Sequence, residues 1–226
     1  TLGDVQTLAH ELGHAFHNAA MNDLRPWRRR YPMTLAETAS TFAENVLTNH
    51  LLSTHAADPL LIAEILDTRL EAASAFLLNI PMRYDFEYNL YQARAHGEVS
   101  TTQMQAMMRD AQTKWFGDTL DPAQLDPWFW ASELHFFITY VTFYNFPYAF
   151  GYLFSNGVFD RASKAGPDFF NPYVKLLRET GDGMAESVAN RVLGIDLEDP
   201  AFWLSSIALI QDDLTRFEAL LPSLKQ

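Results

Sequence analysis

The chain contains no cysteine. Disulfides and thiolate metal sites are thereby excluded, so any transition metal must be held by His, Asp or Glu. The same absence fits a reducing cytoplasm, which is the expected compartment. Basic residues are few: 16 Lys and Arg stand against 28 Asp and Glu, a net charge of −12. That balance argues against nucleic acid or an anionic membrane as partner. There is no hairpin signal, no internal repeat and no low-complexity linker. No secretory leader is visible, and the chain starts at Thr1 on its most informative motif, so it is expected to be a piece of a longer protein. Charge is also missing from Leu134 to Phe159, a length that could span a bilayer. His135, Thr139, Asn145, Pro147 and four tyrosines make that stretch a poor lipid-facing helix, and an aromatic site wall is the better expectation.

What is present is enough for a sizeable core. Of 226 residues, 48% are hydrophobic and 14% aromatic, so the chain is globular, one large domain or one lobe of something bigger. Apolar residues recur at helical spacing nearly throughout, and the expected fold is all-α. Asp58 and Pro59 open a helix towards Leu77, Pro81 is expected to break the chain, and apolar spacing resumes through Phe86, Leu90 and Tyr91. Ser100 caps a helix that runs through Met104, Met107 and Met108 to Gly117, with the methionines as core filling. Further helices are expected from Val174 to Gly181, from Met184 to Leu193 and from Ala201 to Leu220, with a turn at Gly194-Ile195-Asp196-Leu197.

The chemistry is concentrated near the start, in Leu8-Ala9-His10-Glu11-Leu12-Gly13-His14-Ala15-Phe16-His17. His10 and His14 are four apart, hence one turn above each other on one face of a helix. Neutral imidazoles so placed can both reach one zinc ion. Glu11 stands beside that position and can take a proton from a water activated by the metal. Gly13 removes a side chain one residue before the second histidine, which implies close packing there. Asp4 is expected to cap this helix. His17 lies on the histidine face one turn further on and reads as a buried polar neighbour. His50, His55 and His96 have no partner pattern.

A second helix is expected from Thr34. Thr34 and Glu37 have the form of a capping box, one reading of Glu37. The other makes it the third metal ligand, because Glu37, Ser40, Thr41 and Glu44 recur on one polar helix face. Two histidines and one carboxylate with an open fourth position form a catalytic zinc set. Glu37 is preferred as ligand and Glu44 as the group that orients a ligand imidazole, although spacing alone allows the two to be exchanged. Between the two helices, Arg25, Arg28, Arg29 and Arg30 form a loop read as a solvated connector, the alternative being a segment that holds a substrate carboxylate. The aromatic stretch from Pro127 to Phe159 supplies tyrosine hydroxyls and a histidine, suitable donors for an oxyanion.

Together, His-Glu-x-Gly-His with Ala-Phe-His, the Ala-Glu-Thr-Ala-Ser-Thr-Phe run around Glu37, and the Phe143–Phe154 block resemble the oligoendopeptidase F and thimet oligopeptidase family of zinc metallopeptidases. So does the late Gly-Ile-Asp-Leu…Phe-Trp segment, and the likeness covers essentially the whole chain. It implies one Zn²⁺ per chain on His10, His14 and Glu37, with Glu11 as general base. It further implies that Tyr152 stabilises the oxyanion and that His135 helps bind substrate, while Tyr144 and Tyr148 do not fall cleanly on the family's other tyrosines and are substrate-binding candidates. The implied activity is endopeptidase cleavage of short oligopeptides. Residues 1–226 would then be the C-terminal catalytic part, working with an N-terminal part of the same longer chain that forms the opposite wall of a channel. The rival expectation is a zinc- or peptide-binding fragment without turnover.

Overall fold

The structure, a computed structural model, describes residues 1–224. The all-α expectation holds: among the described residues there is no strand. The helices are α1 (Leu2–Ala20), α2 (Met33–Ala36), α3 (Thr38–Thr54), α4 (Pro59–Ser74), α5 (Ile80–Arg94), α6 (Thr101–Phe116), α7 (Phe129–Ser132), α8 (Phe146–Ala165), α9 (Phe170–Glu179), α10 (Ala185–Leu193) and α11 (Pro200–Leu224). Two compact units are formed, one from Thr1–Ala72 with the chain from Phe150 onward, the other from Ala73–Ala149.

In the first unit, α1 packs along α3. Gly13 makes this possible: a Cβ there would lie 2.6 Å from Ser40 Cα and 2.8 Å from Ala39 C, closer than side-chain carbons come to backbone. The main core gathers Leu35, Ala39, Phe154, Val158, Leu176, Leu177, Val188, Ile195 and Phe202 from six stretches of chain. Gly157 admits the Phe202 ring, whose Cζ would stand 2.5 Å from a Cβ at that position. A smaller apolar cluster of Leu52, Ile62, Ile65 and Leu66 closes around Phe217 and Leu220 of α11. Val5, Leu8, Leu12 and Phe16 of α1 are apolar and exposed.

The second unit is organised by α5 and α6. Its core is Met82, Phe86, Met108 and Ala111, with Met104 and Met107 packed against it, so the methionines do fill core. Ser100 caps α6 as expected, in a capping box completed by Gln103, and Gly117 ends the helix at φ +57°.

Two local expectations are corrected. The cap of α1 is Thr1, whose hydroxyl accepts the Asp4 N–H, so Asp4 sits inside the first turn. Pro81 does not break the chain, because the preceding turn, Ala75–Asn79, widens into a π-helical segment and Pro81 falls in the first turn of α5, where a missing N–H costs little. The charge-free stretch is no continuous helix: a short 3₁₀ turn at Leu134–Phe137 leads into a loop and then α8. Tyr140 and Phe143 in that loop take left-handed backbone, at φ +74° and +54°. Among the described residues, no helix is long and apolar enough to cross a membrane.

Candidate active site

Four residues of the first unit converge where α1 meets the start of α3. The Nε2 atoms of His10 and His14 lie 3.2 Å apart. Glu37 Oε2 lies 3.4 Å from the first and 3.5 Å from the second. Zinc bonds of about 2.0–2.1 Å in a tetrahedral arrangement place ligand atoms roughly 3.3 Å apart, so this triangle fits such an ion. All three side chains are partly buried, which sets them apart from a chance surface cluster.

Glu37 reaches this point because the chain breaks there. It stands between α2 and α3, following the last residue of the one and preceding the first of the other, at φ −90°, ψ 5°, and its side chain caps neither helix. The capping-box reading of Glu37 is therefore overturned, and its carboxylate is turned to the histidines. Ser40 fixes it by donating to Glu37 Oε2 at 2.7 Å. From the other side, Gly151 lets α8 approach, since a Cβ there would stand 3.2 Å from Glu37 Cβ.

His10 Nδ1 meets Glu44 Oε1 at 2.5 Å. Donation to that carboxylate puts the ring hydrogen on Nδ1 and leaves Nε2 as a lone pair facing Glu37 and His14. The bond to Glu44 also raises the His10 pKa above its usual value, against the opposing effect of partial burial. Glu11 is exposed beside His10 on the same helix.

His17 is turned away from this group. It is fully buried, its Nε2 donating to Leu177 O at 3.1 Å and Thr180 Oγ1 at 2.9 Å, and its ring stacks on Tyr31 at 4.4 Å. Burial depresses its pKa to about 4. It is a buried polar neighbour, as its position in the motif suggests.

In the second unit, His135, Tyr144 and Tyr148 form one aromatic group, with the His135 ring 4.5 Å from Tyr144 and 6.2 Å from Tyr148. His135 Nδ1 lies 2.7 Å from Asn145 Oδ1, an oxygen that also faces Arg83 Nη1 at 3.4 Å. Arginine only donates, so Asn145 presents its oxygen and His135 Nδ1 carries a hydrogen. As a neutral ring, His135 thus offers Nε2 as an acceptor, and it donates there only when protonated. The left-handed Phe143 is held by Glu87, which accepts its N–H at 2.8 Å.

Residues 1–208 match the family model described as peptidase family M3. The chain belongs to that family. It is 27% identical over 222 residues to the plasmid oligoendopeptidase F of Lactococcus lactis subsp. cremoris, and 26% identical over 222 to the group B oligopeptidase PepB of Streptococcus agalactiae serotype III. Each match covers 97% of this chain and 36% of the relative. The chain therefore spans little more than a third of the length of the curated relatives it matches. Its fold is that of a crystal structure of a putative peptidase from Chlamydophila abortus, with TM-score 0.84, 24% identity and coverage of 97% of this chain and 36% of that one. A crystal structure of oligoendopeptidase-F from Enterococcus faecium aligns at TM-score 0.79 and 23% identity, covering 98% of this chain and 40% of the other.

Next to the histidine pair of this M3 chain lies a cleft of about 380 Å³, lined by His10, Glu44, Arg69, Tyr152 and neighbouring polar groups. Tyr152 is nearly buried there, which raises its phenol pKa, while a bond to the Asn156 side chain acts in the other direction. None of the loop arginines lines this cleft. Arg28 pairs with Asp182 at 3.2 Å, Arg29 donates to the carbonyls of Leu24 and Asn22, and Arg25 lies over Trp27. These three arginines hold the connector to itself and to Asp182. Sequence reading missed Arg69, Asn45, Asn156 and Asp213, which meet beneath the cleft. Nothing in their spacing could have announced it, because they come from four separate helices.

Proposed function

We propose that the chain is the catalytic part of a zinc-dependent endopeptidase that hydrolyses short oligopeptides. The observation that carries this reading is the triangle of His10 Nε2, His14 Nε2 and Glu37 Oε2, whose sides of 3.2–3.5 Å suit one tetrahedral zinc ion per chain. When bound, zinc would supply Lewis acidity, polarising the scissile carbonyl and acidifying a water towards neutral pH. Glu11 accepts the proton of the attacking water and returns it to the leaving amine. Glu44 keeps the His10 ring turned so that Nε2 is available. Tyr152, in the cleft with His10, donates to the oxygen on which negative charge develops, and His135 assists when protonated. Tyr144 and Tyr148, packed against His135, bind substrate.

The relatives named oligoendopeptidase F and oligopeptidase support the substrate class. Because the chain spans about a third of them, we propose that it works with an N-terminal part of the same longer chain, and the exposed apolar edge of α1 at Val5, Leu8, Leu12 and Phe16 is a surface such a part can cover. The same coverage favours a second reading, a fragment that binds zinc or peptide without turnover. A cytoplasmic setting rests on the cysteine-free composition.

The test is Glu11→Gln, assayed for zinc content and for cleavage of a peptide blocked at both ends. Retained zinc with lost cleavage is expected. Cleavage that survives would remove Glu11 from the mechanism, and a parent chain that binds zinc but never cleaves would favour the second reading.

A further inference from the structure

In the second unit, α5 and the loop before α8 bring an arginine, an asparagine and a histidine into one line. Arg83 of α5 is held on three sides. Its Nε donates to Asn79 Oδ1 at 2.6 Å, its Nη1 donates to Glu133 Oε2 at 2.6 Å, and the guanidinium lies over the Phe129 ring. So held, Nη1 also stands 3.4 Å from Asn145 Oδ1. The same oxygen lies 2.7 Å from His135 Nδ1. Asn145 is buried, and its Nδ2 has no hydrogen-bond partner.

Chemistry places the protons along this line. Turning the amide over would set its NH₂ against a guanidinium that has only donors, so Asn145 presents its oxygen to Arg83. An amide oxygen has two lone pairs; Arg83 meets one and His135 the other. That oxygen has no hydrogen to give, so the hydrogen of the second bond belongs to His135 Nδ1. The neutral ring then carries its lone pair on Nε2. Among the described residues no hydrogen bond reaches Nε2, and that atom is not buried. Tyr144 and Tyr148 flank the ring. An unpaired buried NH₂ weighs against folding, so what recommends asparagine at this position is its oxygen, set at His135 Nδ1.

We propose that Asn145, oriented by Arg83, is a positioning residue that keeps the hydrogen of neutral His135 on Nδ1 and so presents Nε2 as a hydrogen-bond acceptor to a backbone N–H of the bound peptide. An uncharged acceptor suits an uncharged amide donor, whereas its lone pair would repel an anionic oxygen. The proposal rests on the reading of His135 as a peptide-binding residue, and it adds a part for the neutral ring to the donation assigned to the protonated one. The form of the ring is a property of the chain and is read without peptide or metal.

The chain is labelled with ¹⁵N in its histidine rings and observed at about pH 8, above the ordinary imidazole range. His135 is assigned by its loss in His135→Phe, and ring ¹H–¹⁵N correlations distinguish the two neutral forms. The parent should carry hydrogen on Nδ1. Asn145→Leu should move the population towards Nε2–H, and Asn145→Asp, which keeps an oxygen acceptor, should restore Nδ1–H. Hydrogen on Nε2 in the parent overturns the proposal, and so does an unchanged form in a folded Asn145→Leu chain. If Asn145→Leu fails to fold, Arg83→Met with Glu133→Gln frees the amide to turn and should mix the two forms; an unchanged form there overturns the proposal as well. The peptide's part is read by calorimetry on zinc-loaded Glu11→Gln, which is expected to bind without cleaving. Blocked peptides with an ester in place of one amide, at successive positions, each lack one N–H. At one position the ester should weaken binding about tenfold, and by less than about twofold when Asn145→Leu or the Arg83→Met pair is added. A series with no such position overturns the acceptor role. Failure of the hydrolytic reading shows differently, as cleavage by Glu11→Gln or as an all-amide peptide that does not bind, with the ring form unchanged.

Discussion

Gly13→Ala offers a direct test of how packing holds the metal triangle. The added methyl would be driven against the Ala39 carbonyl and would stand 2.6 Å from Ser40 Cα. Both partners are backbone of α3, so no side chain can swing aside, and α1 and α3 must part by roughly 0.5–1 Å to restore ordinary contact. Overpacking of this kind costs about 1–3 kcal/mol, while alanine in a helix interior regains up to about 1 kcal/mol, so a net loss of about 1–2 kcal/mol is expected. In a chain of this size that lowers Tm by about 2–8 °C. The shift also separates the histidines of α1 from Glu37, which Ser40 anchors on α3. Metal–ligand distances hold to about 0.2 Å in a good site, so zinc affinity should fall at least about tenfold. Gly3→Ala is the control, the same change on the same helix where a Cβ meets only Thr1 Oγ1 at 3.8 Å. Thermal unfolding and competition with a chelating dye read both variants. If Gly13→Ala matches Gly3→Ala in Tm and zinc affinity, the close-packing account of this glycine is wrong.

Other outcomes follow from the same geometry. Glu44→Gln should weaken zinc binding about 10–100-fold while leaving the fold intact, as measured by calorimetry. Because Glu44 raises the His10 pKa, zinc binding by the parent strengthens as pH rises through that raised value, and in Glu44→Gln the rise should move to lower pH. His17 carries a folded pKa of about 4 against an unfolded 6.5, so the native state binds fewer protons between those values. Its contribution is full above about pH 6.5 and is lost as pH falls towards 4, by roughly 3 kcal/mol; denaturant midpoints across that window should flatten in His17→Phe. Zinc at about a hundred times its dissociation constant should add about 2.7 kcal/mol to stability, reversed by chelator, and an unmoved Tm would mean that the triangle does not bind the ion in the native state.

Much of this chain was legible because the relevant physics is local. The i, i+4 spacing of His10 and His14 needs only a helix to become a pair of facing nitrogens, and the Ser100–Gln103 box starts α6 with residues three apart. Gly13 announced a close neighbour without saying which. By contrast, Thr34 and Glu37 carry a capping pattern that the chain does not use, since Glu37 falls at a break between two helices where its side chain is worth more facing the histidines. His17 has the same helical phase as its two neighbours, yet its partner Leu177 is 160 residues away, and burial against α9 decides its state. Asp213, Arg69, Asn45 and Asn156 share no period at all. By itself, then, the order of residues determined the helices, the histidine pair and the family, because periodicity and motif spacing are written along one strand of chain. Only the tertiary structure decided which carboxylate turns inward, which histidine is buried and which polar groups meet at the cleft, because those depend on which helix faces meet.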